Sequence, residues 1–135
     1  ADDTIALGSE ASGGVRNIFI ENSEGTNLRK GFYFKANKNR GSHFEHIRMR
    51  NLTYGDLADL PENRRKLSMI EVTTNYDSTG VKYNRDPEFK DIRLENFTGG
   101  TSIYPVTLEG TDKIPLKDFV LFFMENYQIL LIYSI

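Results

Sequence analysis

Apolar and polar positions recur in one figure along this chain: apolar, any, Asn/Asp/His, apolar, any, apolar, any, Asn. It reads Val15-Arg-Asn-Ile-Phe-Ile-Glu-Asn22, then Phe44-Glu-His-Ile-Arg-Met-Arg-Asn51, then Phe89-Lys-Asp-Ile-Arg-Leu-Glu-Asn96. A looser copy, Leu116-Lys-Asp-Phe-Val-Leu, runs on to Asn126. The closing asparagines lie 29, 45 and 30 residues apart, a unit near 30 with an insertion of about 15 around residues 55–68 (DLADLPENRRKLS). Short segments of a second kind sit between the copies: Ile5-Ala-Leu7, Phe32-Tyr-Phe-Lys35, Met69-Ile-Glu-Val-Thr73 and Pro105-Val-Thr-Leu108. All alternate with period two, the mark of strands with one buried face. No comparable window keeps the 3.6-residue stripe of an amphipathic helix. Short strands repeating at a fixed period predict an all-β chain, a parallel β-helix of about four to five coils in one domain, residues 1–135. The repeated Asn suits a left-handed turn position, where its amide can bond the next coil's backbone. A β-sandwich of short strands is the alternative, although sandwich strands need not repeat one motif at one period.

Composition narrows the picture. The 135 residues include no cysteine, which removes disulfides and thiolate metal sites. No apolar run approaches the roughly 18 residues of a membrane-spanning helix, so no membrane partner is expected. A formal charge of −2 argues against a nucleic-acid binder. Eleven glycines against four prolines, with seven Tyr and nine Phe, favour strands and turns. The mild total hides an asymmetry: residues 29–50 carry seven Lys/Arg against one acid, Glu45. A local +6 makes a polyanion the natural partner.

Several segments, in this order, resemble glycoside hydrolase family 28, the polygalacturonases. They are Gly8-Ser9-Glu10, Ser12-Gly-Gly-Val-Arg-Asn-Ile18, Gly31-Phe-Tyr-Phe-Lys-Ala36 with Arg40-Gly41, Ile70-Glu-Val with Tyr76, and Pro105-Val-Thr-Leu-Glu-Gly110. The likeness spans nearly all of this chain but only the C-terminal coils of a family member, so a solenoid truncated relative to the family is expected. It implies a right-handed, pectin-lyase-like β-helix, inverting hydrolysis of α-1,4-linked galacturonan, and a secreted or periplasmic location, although no signal peptide opens the sequence. It implies no cofactor. There are departures. Asp2 stands at the spacing of the family's catalytic-site His, six residues before Gly8, and Tyr33 replaces the Arg of the Arg-Ile-Lys motif while Lys35 remains. The stretch Asp2-Asp3-Thr-Ile-Ala-Leu7 is similar to the family's Asp-Asp-Cys-Ile-Ala-Ile segment, which holds two catalytic carboxylates; the third, in an Asn-Thr-Asp motif, has no counterpart here.

Inverting hydrolysis needs a carboxylic acid and a carboxylate roughly 6.5–9.5 Å apart. Asp2 and Asp3 are the candidates. Neighbours on a strand point to opposite faces, so with Ile5 and Leu7 inward, Asp3 takes the core parity and Asp2 faces out. Glu10 is the nearest spare carboxylate, and a solvated terminus is the other reading of the Asp pair. Tyr33 and Lys35 share the parity opposite to Phe32 and Phe34, which places an ammonium beside an aromatic ring on the open face, suited to a sugar carboxylate. Tyr76, Arg40 and His43 complete the predicted substrate-binding set; Arg48 and Arg50 read as a solvated strand face. His43 and His46 are three apart without a helix and do not face one metal. Asn51-Leu-Thr53 and Asn96-Phe-Thr98 are glycosylation sequons whose Asn is also the repeat's turn residue. A lyase on the same architecture would call for a carboxylate Ca²⁺ site that is not visible.

Residues 119–135, FVLFFMENYQILLIYSI, are apolar with Glu125 the one ionised side chain. A last coil or cap is expected there. Open solenoid ends expose core and unpaired backbone, so self-association into a homo-oligomer through those ends is expected as well.

Overall fold

The computed structural model describes residues 3–26, 29–55, 68–76, 85–99, 104–110 and 119–122. Eight strands alternate between two sheets. The first sheet holds β1 (Asp3–Gly8), β3 (Lys30–Lys35), β5 (Ser68–Thr73) and β7 (Tyr104–Glu109). The second holds β2 (Val15–Gly25), β4 (His43–Tyr54), β6 (Glu88–Gly99) and β8 (Phe119–Phe122). Each of β1 to β6 pairs in parallel with the strand two places further along the chain. Parallel pairing throughout excludes the antiparallel sandwich and is compatible with a parallel β-helix.

Register follows the repeat. Ile18, Ile47, Ile92 and Phe119 stand side by side in the second sheet, and Ile5, Phe32, Ile70 and Val106 do so in the first. The looser copy therefore joins the sheet in the phase its sequence dictates. Period two holds through the strand interiors of the first sheet but not in the second. Inward residues of β4 fall at Phe44, Ile47, Met49 and Leu52, with steps of three, two and three. The extra residue at each long step sits in the left-handed region: Asn17, His46 and Asp91 at φ 57°, 54° and 54°, then Asn22, Asn51 and Asn96 at 51°, 54° and 52°. Such a residue shifts the alternation by one, and Asn or Asp tolerates it best. The asparagine amides bond one another rather than the neighbouring backbone. Asn51 Nδ2 donates to Asn22 Oδ1 at 2.9 Å and Asn96 Nδ2 to Asn51 Oδ1 at 2.7 Å. The two sequons thus have their asparagines engaged in this ladder.

The sheets share one core. Phe44 and Phe89 of the second sheet stack with centroids 4.9 Å apart and planes 10° apart, and Phe34 of the first meets both edge-on at 5.4 and 5.9 Å. Phe32, Ile47, Ile70, Val72, Ile92 and Leu94 are fully buried around them. At the β1–β2 edge, Ile5, Leu7, Val15, Ile18 and Ile20 pack on this core from one side and stay half-buried. Residues 56–67 of the expected insertion, and 123–135 of the apolar tail, lie outside the described residues.

Candidate functional site

Side chains at Tyr33 and Lys35 leave the first sheet on the face away from Phe32 and Phe34, as alternation requires. Tyr76, just past β5, comes to the same place: its backbone N–H donates to the Ala36 carbonyl at 3.1 Å. Its ring meets Tyr33 edge to face, centroids 6.1 Å apart. The Lys35 ammonium lies 5.0 Å from the Tyr33 centroid and 6.0 Å from that of Tyr76, within cation–π reach of both. Three predicted residues are therefore together.

Asp3 joins them, against the parity expected of it. Its Oδ2 lies 2.7 Å from Lys35 Nζ, and its side chain is 7% exposed. Asp3 is the first residue of β1, where no preceding described residue enforces the alternation. Turning inward would bury a carboxylate beside Ile5 without a partner, a cost the Lys35 ammonium removes. Asp2, expected to be the outward carboxylate, lies outside the described residues.

Two further side chains shape the face, neither of them among the expected site residues. Lys30 shares the parity of Phe32, yet at the start of β3 its ammonium sits 3.6 Å over the Tyr33 ring and 2.8 Å from Glu71 Oε2. Glu71 stands beside Tyr33 in the register and accepts a hydrogen bond from its phenol. Burial first, then the Glu71 charge and hydrogen bond, push the Tyr33 phenol far up, so it stays neutral and donates. The Tyr33 parity foretells Glu71; nothing in the pattern foretells Lys30. Beyond them, Thr73 Oγ1 donates to Glu109 Oε2 at 2.7 Å, and Lys38 Nζ to Asn75 Oδ1 at 3.0 Å.

Arg40 and His43 stand apart from this set. Arg40 is buried and holds the 9–14 turn: its guanidinium pairs with the Glu10 carboxylate and donates to the Glu10 carbonyl and to Ser12 Oγ. Glu10, the spare carboxylate, is taken up there. His43 opens β4 in the second sheet, its Nδ1 3.1 Å from Glu88 Oε2. Neither joins the Tyr33–Tyr76 pair.

The basic stretch 29–50 is not a basic surface. Lys30, Lys35, Arg40, Arg48 and Arg50 each meet a carboxylate from elsewhere in the chain: Glu71, Asp3, Glu10, Asp91 and Glu21. On the second sheet the Arg48 hydrogen bond, joined by His46, holds the Asp91 carboxyl below its usual range. The Lys90 hydrogen bond does the same for Glu45. His46 Nδ1 lies 2.9 Å from Asp91 Oδ2. Among the described residues no group of three or more His, Asp or Glu side chains is arranged to hold a metal ion.

Comparison with protein-family models, curated proteins and solved structures found no match. The face itself presents two aromatic rings, the Lys35 ammonium beside them, and two carboxylates, each held by a lysine.

Proposed function

We propose that the chain forms a right-handed parallel β-helix of the polygalacturonase type, and that the outer face of its first sheet binds an acidic polysaccharide of the galacturonan class. The observation that carries this reading is the Lys35 ammonium beside the edge-to-face Tyr33–Tyr76 pair. A pyranose ring stacks on aromatic faces, and a uronate carboxylate pairs with an ammonium placed among them. The likeness of Lys35 and Tyr76 to the family's substrate strands supports it from the sequence side, with Tyr33 standing where the family has Arg.

Binding is better supported than hydrolysis. Inversion needs two carboxylates free to move protons, and on this face Asp3 is held by Lys35 and Glu71 by Lys30 and Tyr33. A hydrolase would have to draw on Asp2 with Asp3. Titration of the protein with trigalacturonate, followed by calorimetry, tests the reading alongside a reducing-end assay on polygalacturonate. Saturable binding that weakens with salt and with Lys35→Ala, without release of reducing ends, is the expected result. Turnover abolished by Asp3→Asn would instead establish the hydrolase. Absence of both binding and turnover would overturn the proposal.

A further inference from the structure

An ammonium that is to receive a sugar carboxylate is already holding one. Asp3 Oδ2 sits 2.7 Å from Lys35 Nζ. The two lysines of the face differ in exposure and in the strands that carry their partners. Lys30 and Glu71 are 6% and 12% exposed, lie under the Tyr33 ring and share its phenol, on strands paired on both sides. Lys35 is 20% exposed and Asp3 7%, and Asp3 sits at the first residue of β1, which among the described residues is hydrogen-bonded to β3 alone. Solvent reaches Lys35, the more exposed of the two ammoniums.

We propose that Asp3 is an internal stand-in for the ligand carboxylate, an autoinhibitory contact that an acidic sugar displaces from Lys35. The proposal rests on the binding reading above and adds that Asp3 opposes binding rather than assisting it. The exchange conserves charge: one carboxylate leaves the ammonium and another arrives, while the aromatic pair gains a sugar ring. Affinity of the native protein for uronate is thereby reduced by the strength of the contact it must break, and specificity rises, because a neutral sugar cannot make the exchange.

Asp3→Asn keeps the size of the side chain and removes the competing charge. With trigalacturonate as probe and the neutral α-1,4-galactotriose as control, Asp3→Asn is expected to tighten trigalacturonate binding about tenfold. That is the scale of one charge-assisted hydrogen bond. Binding of the neutral trisaccharide should not change, and in a Lys35→Gln background Asp3→Asn should have no effect. Equal or weaker binding of trigalacturonate by a folded Asp3→Asn protein overturns the inference, and so does the same gain in the Lys35→Gln background. If neither wild type nor variant binds trigalacturonate, the underlying reading falls with it. Should the variant fail to fold, the wild-type protein gives the answer by carbonyl-detected NMR. The Asp3 carboxyl resonance moves as trigalacturonate saturates if the contact is displaced, and binding that leaves it unmoved refutes the idea.

Discussion

Tyr54 ends β4 with its ring inside the core, 3% exposed, and its hydroxyl oxygen has no hydrogen-bond partner among the described residues. Phe97 lies 6.1 Å away centroid to centroid, and the Gly31 backbone passes close to the ring edge. A buried hydroxyl without a partner costs about 1–3 kcal/mol, while the dispersion lost with one oxygen is a few tenths. Tyr54→Phe should therefore raise stability by about 1 kcal/mol. In urea this is a midpoint shift of about 0.5 M at unchanged slope, taking a slope of about 2 kcal/mol/M. The same burial predicts a pH signature. Desolvation pushes the Tyr54 phenol far up in the folded state, whereas in the unfolded chain it ionises near pH 10. Its folded value is raised, so its contribution is intact below pH 10 and is lost as pH rises above that, when only the unfolded chain releases the proton. The advantage of Tyr54→Phe should widen above pH 10 by up to about 1.4 kcal/mol per pH unit. A destabilised Phe variant would mean that the hydroxyl is satisfied. A gap that does not change with pH would mean that the phenol ionises in the folded protein. Either result refutes the reasoning.

Other substitutions test the ladder, the close packing and the surface charges. Asn51→Ala should cost about 2 kcal/mol in urea unfolding: about 1 for placing alanine in the left-handed region and about 0.5 for each of two exposed amide bonds. Gly31→Ala should cost about 1–3 kcal/mol by the same measurement, because the new methyl would press on the Met69 carbonyl and the Tyr54 ring. Asp91 is held below its usual range by Arg48 and His46, so its contribution is present above about pH 4 and is lost as pH falls below that. Asp91→Asn, which tolerates the same backbone, should flatten the acid limb of the stability profile, and an unchanged limb would contradict the assignment.

Strand positions and the two-set alternation are readable from the sequence because a buried face leaves a period that no surface requirement erases. Side-chain direction is readable only in strand interiors. Tyr33, Lys35 and Glu71 obey the alternation, while Asp3 and Lys30, each the first residue of its strand, swing to where a counter-charge waits. The charge of residues 29–50 misleads for a different reason. Chain neighbours are not spatial neighbours in stacked parallel strands, and the acids that neutralise this stretch come from other strands and turns. Part of that was available from the repeat. Glu21 and Arg50 fill the same place in successive copies, as do Glu45 and Lys90, and both pairs form ion pairs. Overlaying the copies predicts these contacts, whereas counting charge along the chain does not. Arg40 with Glu10 falls outside the motif, and only the three-dimensional path of the turn brings them together.

The asparagine ladder makes a point about chain length. Its two rungs close at 2.9 and 2.7 Å, yet one spans 29 residues of chain and the other 45. Loop-closure entropy grows only with the logarithm of length, so the longer span costs about 0.4 kcal/mol more than the shorter. Extra sequence between one rung and the next is thus nearly free, provided that the strands on either side keep their phase. Segments as long as half a repeat can be gained, lost or exchanged between β4 and β5 while the ladder holds its register. That connection is the place where such a protein can acquire new contacts without rebuilding its core.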